Sequence, residues 1–125
     1  MTKVFVQQAL LIHKYFIEMS GGIDGVRDLA ALESALNTPF QTFGGEDLYP
    51  GKERKAASLC YGLIQNHPFI DGNKRIGVHL CNLFLDINGV KIEFTDDDLV
   101  QLGLSVAGGS WKMSDVLAWI FQHEI

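Results

Sequence analysis

Apolar residues recur at three- and four-residue spacing over Val4–Met19, with Val6, Leu10, His13, Tyr15, Phe16 and Met19 on one face. This pattern predicts a first amphipathic helix. Ser20-Gly21-Gly22 stops it, because Gly takes the left-handed conformation that ends helices. A turn at Gly25-Val26-Arg27-Asp28 leads into a short helix over Leu29–Leu36, with Asp28 as its N-cap and Thr38-Pro39 as its end. Helical period returns over Lys52–Gln65, whose buried face is Ala56, Ala57, Leu59, Cys60, Leu63 and Ile64. The alanines and Gly62 are small enough to admit a close helical neighbour.

A helix over Arg75–Ile87, opening near Asn73, carries Ile76, Val78, Leu80, Leu83, Phe84 and Leu85. It is apolar almost all round, as expected of the central helix of a bundle, and Asn88-Gly89 ends it. Val90–Phe94 reads as a short extended segment. Thr95 caps a helix running to about Val106, and Asp96, Asp97 and Asp98 lie at its positive end, a dipole-matched helix start rather than a metal cluster. Gly108-Gly109 breaks the chain, and Ser114 is placed to cap a last helix over Val116–His123. The expected architecture is an all-α bundle of five or six helices, one domain over residues 1–125.

Residues 40–51 do not fit this pattern. They hold Phe40, Phe43, Gly44, Gly45, Tyr49, Pro50 and Gly51, and are longer and more aromatic than an ordinary surface connection. Such a segment predicts a flap that covers a ligand or receives a partner, or one whose aromatic rings tuck back onto the core. Composition sharpens the picture in two ways. A 47% apolar content with eight Phe supports a sizeable core, and a net charge of −5 with pI near 5.2 argues against a non-specific nucleic-acid binder. Any phosphate chemistry must therefore be local. Cys60 and Cys81 sit in apolar helical sequence without a CxxC pattern, so buried free thiols are expected. No cleavable signal pattern and no apolar run of about 18 residues is present, and a cytoplasmic domain without a membrane role is expected.

The candidate chemistry is concentrated in residues 67–75, His-Pro-Phe-Ile-Asp-Gly-Asn-Lys-Arg. A helix opening near Asn73 leaves its first N–H groups unpaired, and Gly72 has no side chain to keep an anion away from them. The Asn73 amide can donate to the same oxygens, Arg75 can fork onto phosphate, and Lys74 adds a second positive charge. Asp71 opposes phosphate unless it holds a divalent cation, and Mg²⁺ suits one or two carboxylates together with phosphates. His67 is the group poised to take a proton near neutral pH. These residues point to transfer from a nucleotide onto a hydroxyl. His13 reads as a core-edge histidine held by a hydrogen bond, and His79, one turn beyond Arg75, faces either the site or the bundle surface.

The stretch resembles the signature of the Fic/Doc superfamily, HxFx(D/E)GNxxxR in its adenylyl-transferring branch, through His67, Phe69, Asp71, Gly72 and Asn73, with Pro68 also typical. Ile12-His13 with Gly21-Gly22, the Leu32-Glu33-Ser34-Ala35 stretch before Pro39, and Phe84-Leu85 with Asn88-Gly89-Val90 resemble the small Doc-like toxins in the same order. The resemblance implies His67 as general base, Asp71 as Mg²⁺ ligand, Gly72 and Asn73 with the helix start as anion hole, Phe69 as core anchor, and Lys74 and Arg75 on the nucleotide phosphates. Two positions depart from the adenylyl-transferring branch: Lys74 stands where it has Gly, and Val78 where it has a second Arg. Doc-like toxins share both departures, which implies transfer of the terminal phosphate of ATP, with adenylyl transfer or a degenerate binding module as the alternatives. The resemblance further implies a translation elongation factor as target and a flap (Phe40, Phe43, Gly44, Gly45) that docks the target backbone as an added strand. It also implies a cognate antitoxin, whose disordered tail folds as a helix in a groove of the toxin.

Overall fold

Two helices carry the centre of the molecule. The computed structural model describes residues 1–125 and orders them as α1 (Val6–Ser20), α2 (Leu29–Asn37), a 3-10 turn (Thr38–Phe40), β1 (Thr42–Phe43), β2 (Glu46–Asp47), α3 (Lys52–Asn66), α4 (Asn73–Ile87), α5 (Asp96–Ala107) and α6 (Met113–His123). The fold is all-α, with six helices and one antiparallel pair of very short strands. α4 runs against α3, and their contact is closest at Gly77, where a Cβ would lie 2.8 Å from the Ile64 side chain and 3.3 Å from the Cys60 carbonyl. Gly62, expected to admit a close helical neighbour, lies against Ala35 of α2, where a Cβ would meet ordinary contact distance. α2, α6 and α5 surround α3, and every apolar residue assigned to the buried face of α3 is buried. Cys60 and Cys81 are both buried free thiols, and the neighbouring Cys81 together with burial pushes the Cys60 thiol well above its usual range. No helix is long and apolar enough to cross a membrane.

The caps follow the local chemistry. Asp28 accepts from the Ala31 N–H at the start of α2, and Thr95 and Asp98 exchange backbone-to-side-chain bonds at the start of α5. Hydrogen bonding to Thr95 is the largest influence holding the Asp98 carboxyl below its usual range. α6 departs from expectation: it begins at Met113, and its opening N–H, on Lys112, is taken by the Asp115 carboxylate, so Ser114 lies inside the first turn rather than at the cap.

α1 also differs. Ala9, His13 and Ile17 form its buried stripe, while Tyr15 and Met19, assigned to the core from spacing, are 58% and 70% exposed. The helix packs mainly on α4, α2 and the loop before α4, so only a narrow i, i+4 stripe is covered. The segment after α4 is extended, as expected, and forms an isolated bridge from Ile92 to Glu124 beyond α6.

Candidate active site

The loop between α3 and α4 is built by backbone bonds from a distant segment. Ile70 N–H donates to the Gly25 carbonyl, and the N–H groups of Arg27 and Asp28 both donate to the Pro68 carbonyl. Val26 and Phe69 thus face each other as an isolated antiparallel bridge. Gly22 lies close beside the loop, where a Cβ would come 2.7 Å from the Asp71 carboxylate. Residues 25–28, expected only as a turn into α2, are the splint of the motif loop. Nothing local in those residues signals that role, because the bonds run from ordinary backbone groups.

His67 ends α3 with φ 51 and ψ 53, the only non-glycine residue of the chain at positive φ. That conformation costs an L-residue about 1–2 kcal/mol and persists only where the surroundings hold it. Phe69 follows as a fully buried anchor, its ring stacked on His13 at 3.7 Å between centroids. His13 is 2% exposed, and its Nε2 lies 2.7 Å from the Asp71 carbonyl while its Nδ1 lies 3.8 Å from the Asp24 carboxylate. The expected hydrogen-bonded core histidine is therefore also a support of the loop.

Gly72 takes φ 81 and opens α4. The N–H groups of Asn73, Lys74 and Arg75 have no intrahelical partner, and the first helical bond runs from Ile76 to the Gly72 carbonyl. The Asn73 side chain, expected to donate to the anion, is turned into the loop. It is 4% exposed, its Oδ1 accepts from Phe69 N–H, and its Nδ2 donates to the Phe69 carbonyl, both at 2.9 Å. Its amide closes the loop, and its backbone N–H is one of those left unpaired at the start of α4.

Asp71 is exposed, and each carboxylate oxygen accepts one N–H, Oδ1 from Gly72 and Oδ2 from Ile23. Lone pairs remain on both oxygens, so this carboxylate fits a hard cation that keeps most of its ligands as water and phosphate. Two cavities flank the loop. One, about 140 Å³, is lined by His13, Phe16, Asp71, Gly72 and Arg75 among others. The second, about 240 Å³, lies between Asp71–Arg75 and Leu99, Val100 and Leu104 of α5. The structure brings Asp71, Gly72, Lys74 and Arg75 together around these cavities, and His67 stands at the opposite end of the same loop.

A profile of the Fic/DOC family matches residues 4–85. The chain belongs to the Fic/DOC family. It is 43% identical over 100 residues to a protein named Toxin Doc from Mycolicibacterium smegmatis (strain ATCC 700084 / mc(2)155), covering 78% of this chain and 77% of that one. It is 27% identical over 116 residues to Protein kinase doc from Escherichia phage P1, covering 93% of this chain and 90% of the relative. These relatives place it on the Doc-like side of the Fic/DOC family.

The flap and His79 also take defined places. In the flap, Gly44 and Gly45 take φ 61 and 83, the pair of positive values that a tight hairpin turn requires, and Phe43 beside them is 81% exposed. Phe40, also assigned to the flap, does not join them: its ring packs edge-on against Phe84 at 5.9 Å, which makes it the foot of the flap. His79 faces the site side of the bundle, half-buried and stacked on Phe16 at 4.4 Å, with Arg75 and Asp96 lining the same cavity. Burial, then the Arg75 guanidinium, holds its imidazole below the ordinary value, and Asp96 opposes them.

Proposed function

We propose that this Fic/DOC protein is a Doc-like toxin that transfers the terminal phosphate of ATP to a hydroxyl of a protein, with a translation elongation factor as the target and a cognate antitoxin as its inhibitor. The observation that carries phosphoryl rather than adenylyl transfer is Lys74. Its stem lies against Gly103 of α5, where a Cβ would come within 2.9 Å of the Lys74 Cβ, and with Arg75 it lines the larger cavity beside the α4 N-terminus. A Gly at this position, as in the adenylyl-transferring branch, leaves that space open. The relative named Protein kinase doc supports the same choice.

In this reading His67 takes the proton of the acceptor hydroxyl as its oxygen attacks the γ-phosphorus. The bond to the β–γ bridging oxygen breaks and ADP leaves. The free N–H groups of Asn73, Lys74 and Arg75 receive phosphate oxygens, and the Lys74 and Arg75 side chains offset the charge. Asp71 would hold Mg²⁺, which when bound neutralises phosphate charge. The exposed edge of the β1–β2 hairpin, with Phe43 at its tip, is the surface for the target backbone.

Incubation of the purified protein with a cell lysate and ATP labelled at the γ or the α position tests this. Label from γ on a protein band, and a mass increase of about 80 Da, are expected. Label from α instead would make the enzyme an adenylyltransferase. His67→Ala should reduce labelling by about 100-fold or more, and persistent labelling in that variant would remove His67 from the mechanism.

A further inference from the structure

We infer that Arg27 is the positioning residue for the proton-accepting imidazole, fixing the backbone of His67 from outside the motif. The inference rests on the proposed role of His67. Three observations carry it. His67 is the chain's one non-glycine residue in the left-handed region, a conformation that is uncommon for any residue with a Cβ and is stabilised by what surrounds it. Arg27 donates from Nε to the His67 carbonyl and from Nη2 to the Asn66 carbonyl at 2.8 Å, so one planar guanidinium forks onto two successive carbonyls. These lie at the C-terminal end of α3, where carbonyls have no helical partner and the last turn supplies no basic side chain.

The clamp is itself anchored. The Arg27 and Asp28 N–H groups both donate to the Pro68 carbonyl, so Arg27 grips the chain on both sides of the His67–Pro68 peptide. No hydrogen bond within the molecule holds the His67 imidazole, so its direction follows from the backbone that carries it. A relaxation of φ from 51° into the ordinary negative range would swing the Cβ away and carry the imidazole out of reach of the acceptor hydroxyl. Arg27 is 40 residues from His67 in sequence and lies in the splint, not in the motif.

The test uses the full chain with Arg27→Ala and Arg27→Lys. In the parent protein, NMR should show the strong intraresidue HN–Hα NOE that marks positive φ at His67. Arg27→Ala should lose that NOE, lower kcat by about 10- to 100-fold, and leave ATP affinity within about two-fold. Free guanidinium ion, added at millimolar concentration, should restore part of kcat in Arg27→Ala. Arg27→Lys, which keeps the charge but not the fork, should show the same losses in weaker form, and it decides the matter if Arg27→Ala does not fold. Retention of the NOE in a folded variant overturns the inference whatever happens to the rate. Unchanged kcat with the NOE lost, or weakened ATP binding with kcat unchanged, overturns it as well. If the parent protein transfers no phosphate, the proposed function fails while the NOE still decides whether Arg27 holds His67.

Discussion

Asn73 shows what a single side chain contributes to this loop. Its amide satisfies both backbone groups of Phe69 in a buried site, offering a donor and an acceptor side by side where an ionised carboxylate of the same reach has no donor. Asn73→Ala should leave a buried N–H and a buried carbonyl unpaired and cost about 2–4 kcal/mol of stability, measured by urea unfolding. A loss below about 0.5 kcal/mol would show that the bonds are replaced by water. The motif residues were all legible in the sequence as types. Which atoms they spend was not, because the Asn73 amide reads equally well as a phosphate donor until the conformation of Phe69 is known.

At the scale of elements, the flap and α3 are tied by a buried cation. Lys55 is 4% exposed, and its Nζ donates to the Asp47 carboxylate at 2.9 Å and the Tyr49 carbonyl at 2.6 Å, so it holds the returning strand of the hairpin on α3. The tip stays free: Phe43 is exposed while Phe40 is seated on Phe84. The two rings should therefore separate by experiment from the strut below them. Phe43→Ala is expected to weaken target modification with stability within about 0.5 kcal/mol and ATP binding unchanged. Lys55→Met is expected to weaken it too, with a loss of about 2 kcal/mol, since charged hydrogen bonds are removed from a buried site. Unaltered target modification in both variants, assayed by γ-phosphate incorporation, would dismiss the flap as the docking surface. The glycine pair announces the turn in the sequence. The division of labour between Phe40 and Phe43 does not appear there, because it depends on where α4 places Phe84.

Across the whole molecule a row of rings links the site to the far end of the chain. Phe16 stacks on His79, His79 meets Phe94, Phe94 meets Trp119, and Trp119 lies 4.2 Å from His123. His79 is the titratable member nearest the site, and burial followed by Arg75 lowers its pKa from 6.5. The folded state prefers the neutral ring, while the unfolded chain takes up a proton at about 6.5. This contribution to stability is therefore present above that pH and is lost as pH falls through the lower folded value. His79→Phe keeps a ring for the stack and should lessen the fall in urea midpoint between neutral pH and about pH 5 relative to the parent. Parallel pH profiles for the two proteins would exclude His79 as the source.

The division between sequence and tertiary structure follows from the range of the forces involved. Helical period, glycine stops, the Asp28 and Thr95 caps and the anion-ready start of α4 are local, and they could be read from neighbouring residues. Helix α4 was recognisable as central from its run of apolar residues, but it is not apolar all round: Arg75, His79, Asn82 and Asp86, three or four residues apart, form a polar face left outside the core. Only the folded chain decided that Tyr15 and Met19 face solvent, that Gly77 lets α4 lie close on α3 while Gly62 meets α2, and that residues 25–28 brace the motif. Those features arise from backbone groups and surfaces that meet across tens of residues, and such meetings leave no periodicity along the chain. The motif's residue types are set by the chemistry they serve. The backbone that aims them is braced by Arg27 and His13, which carry no sign of that duty until they are folded against it.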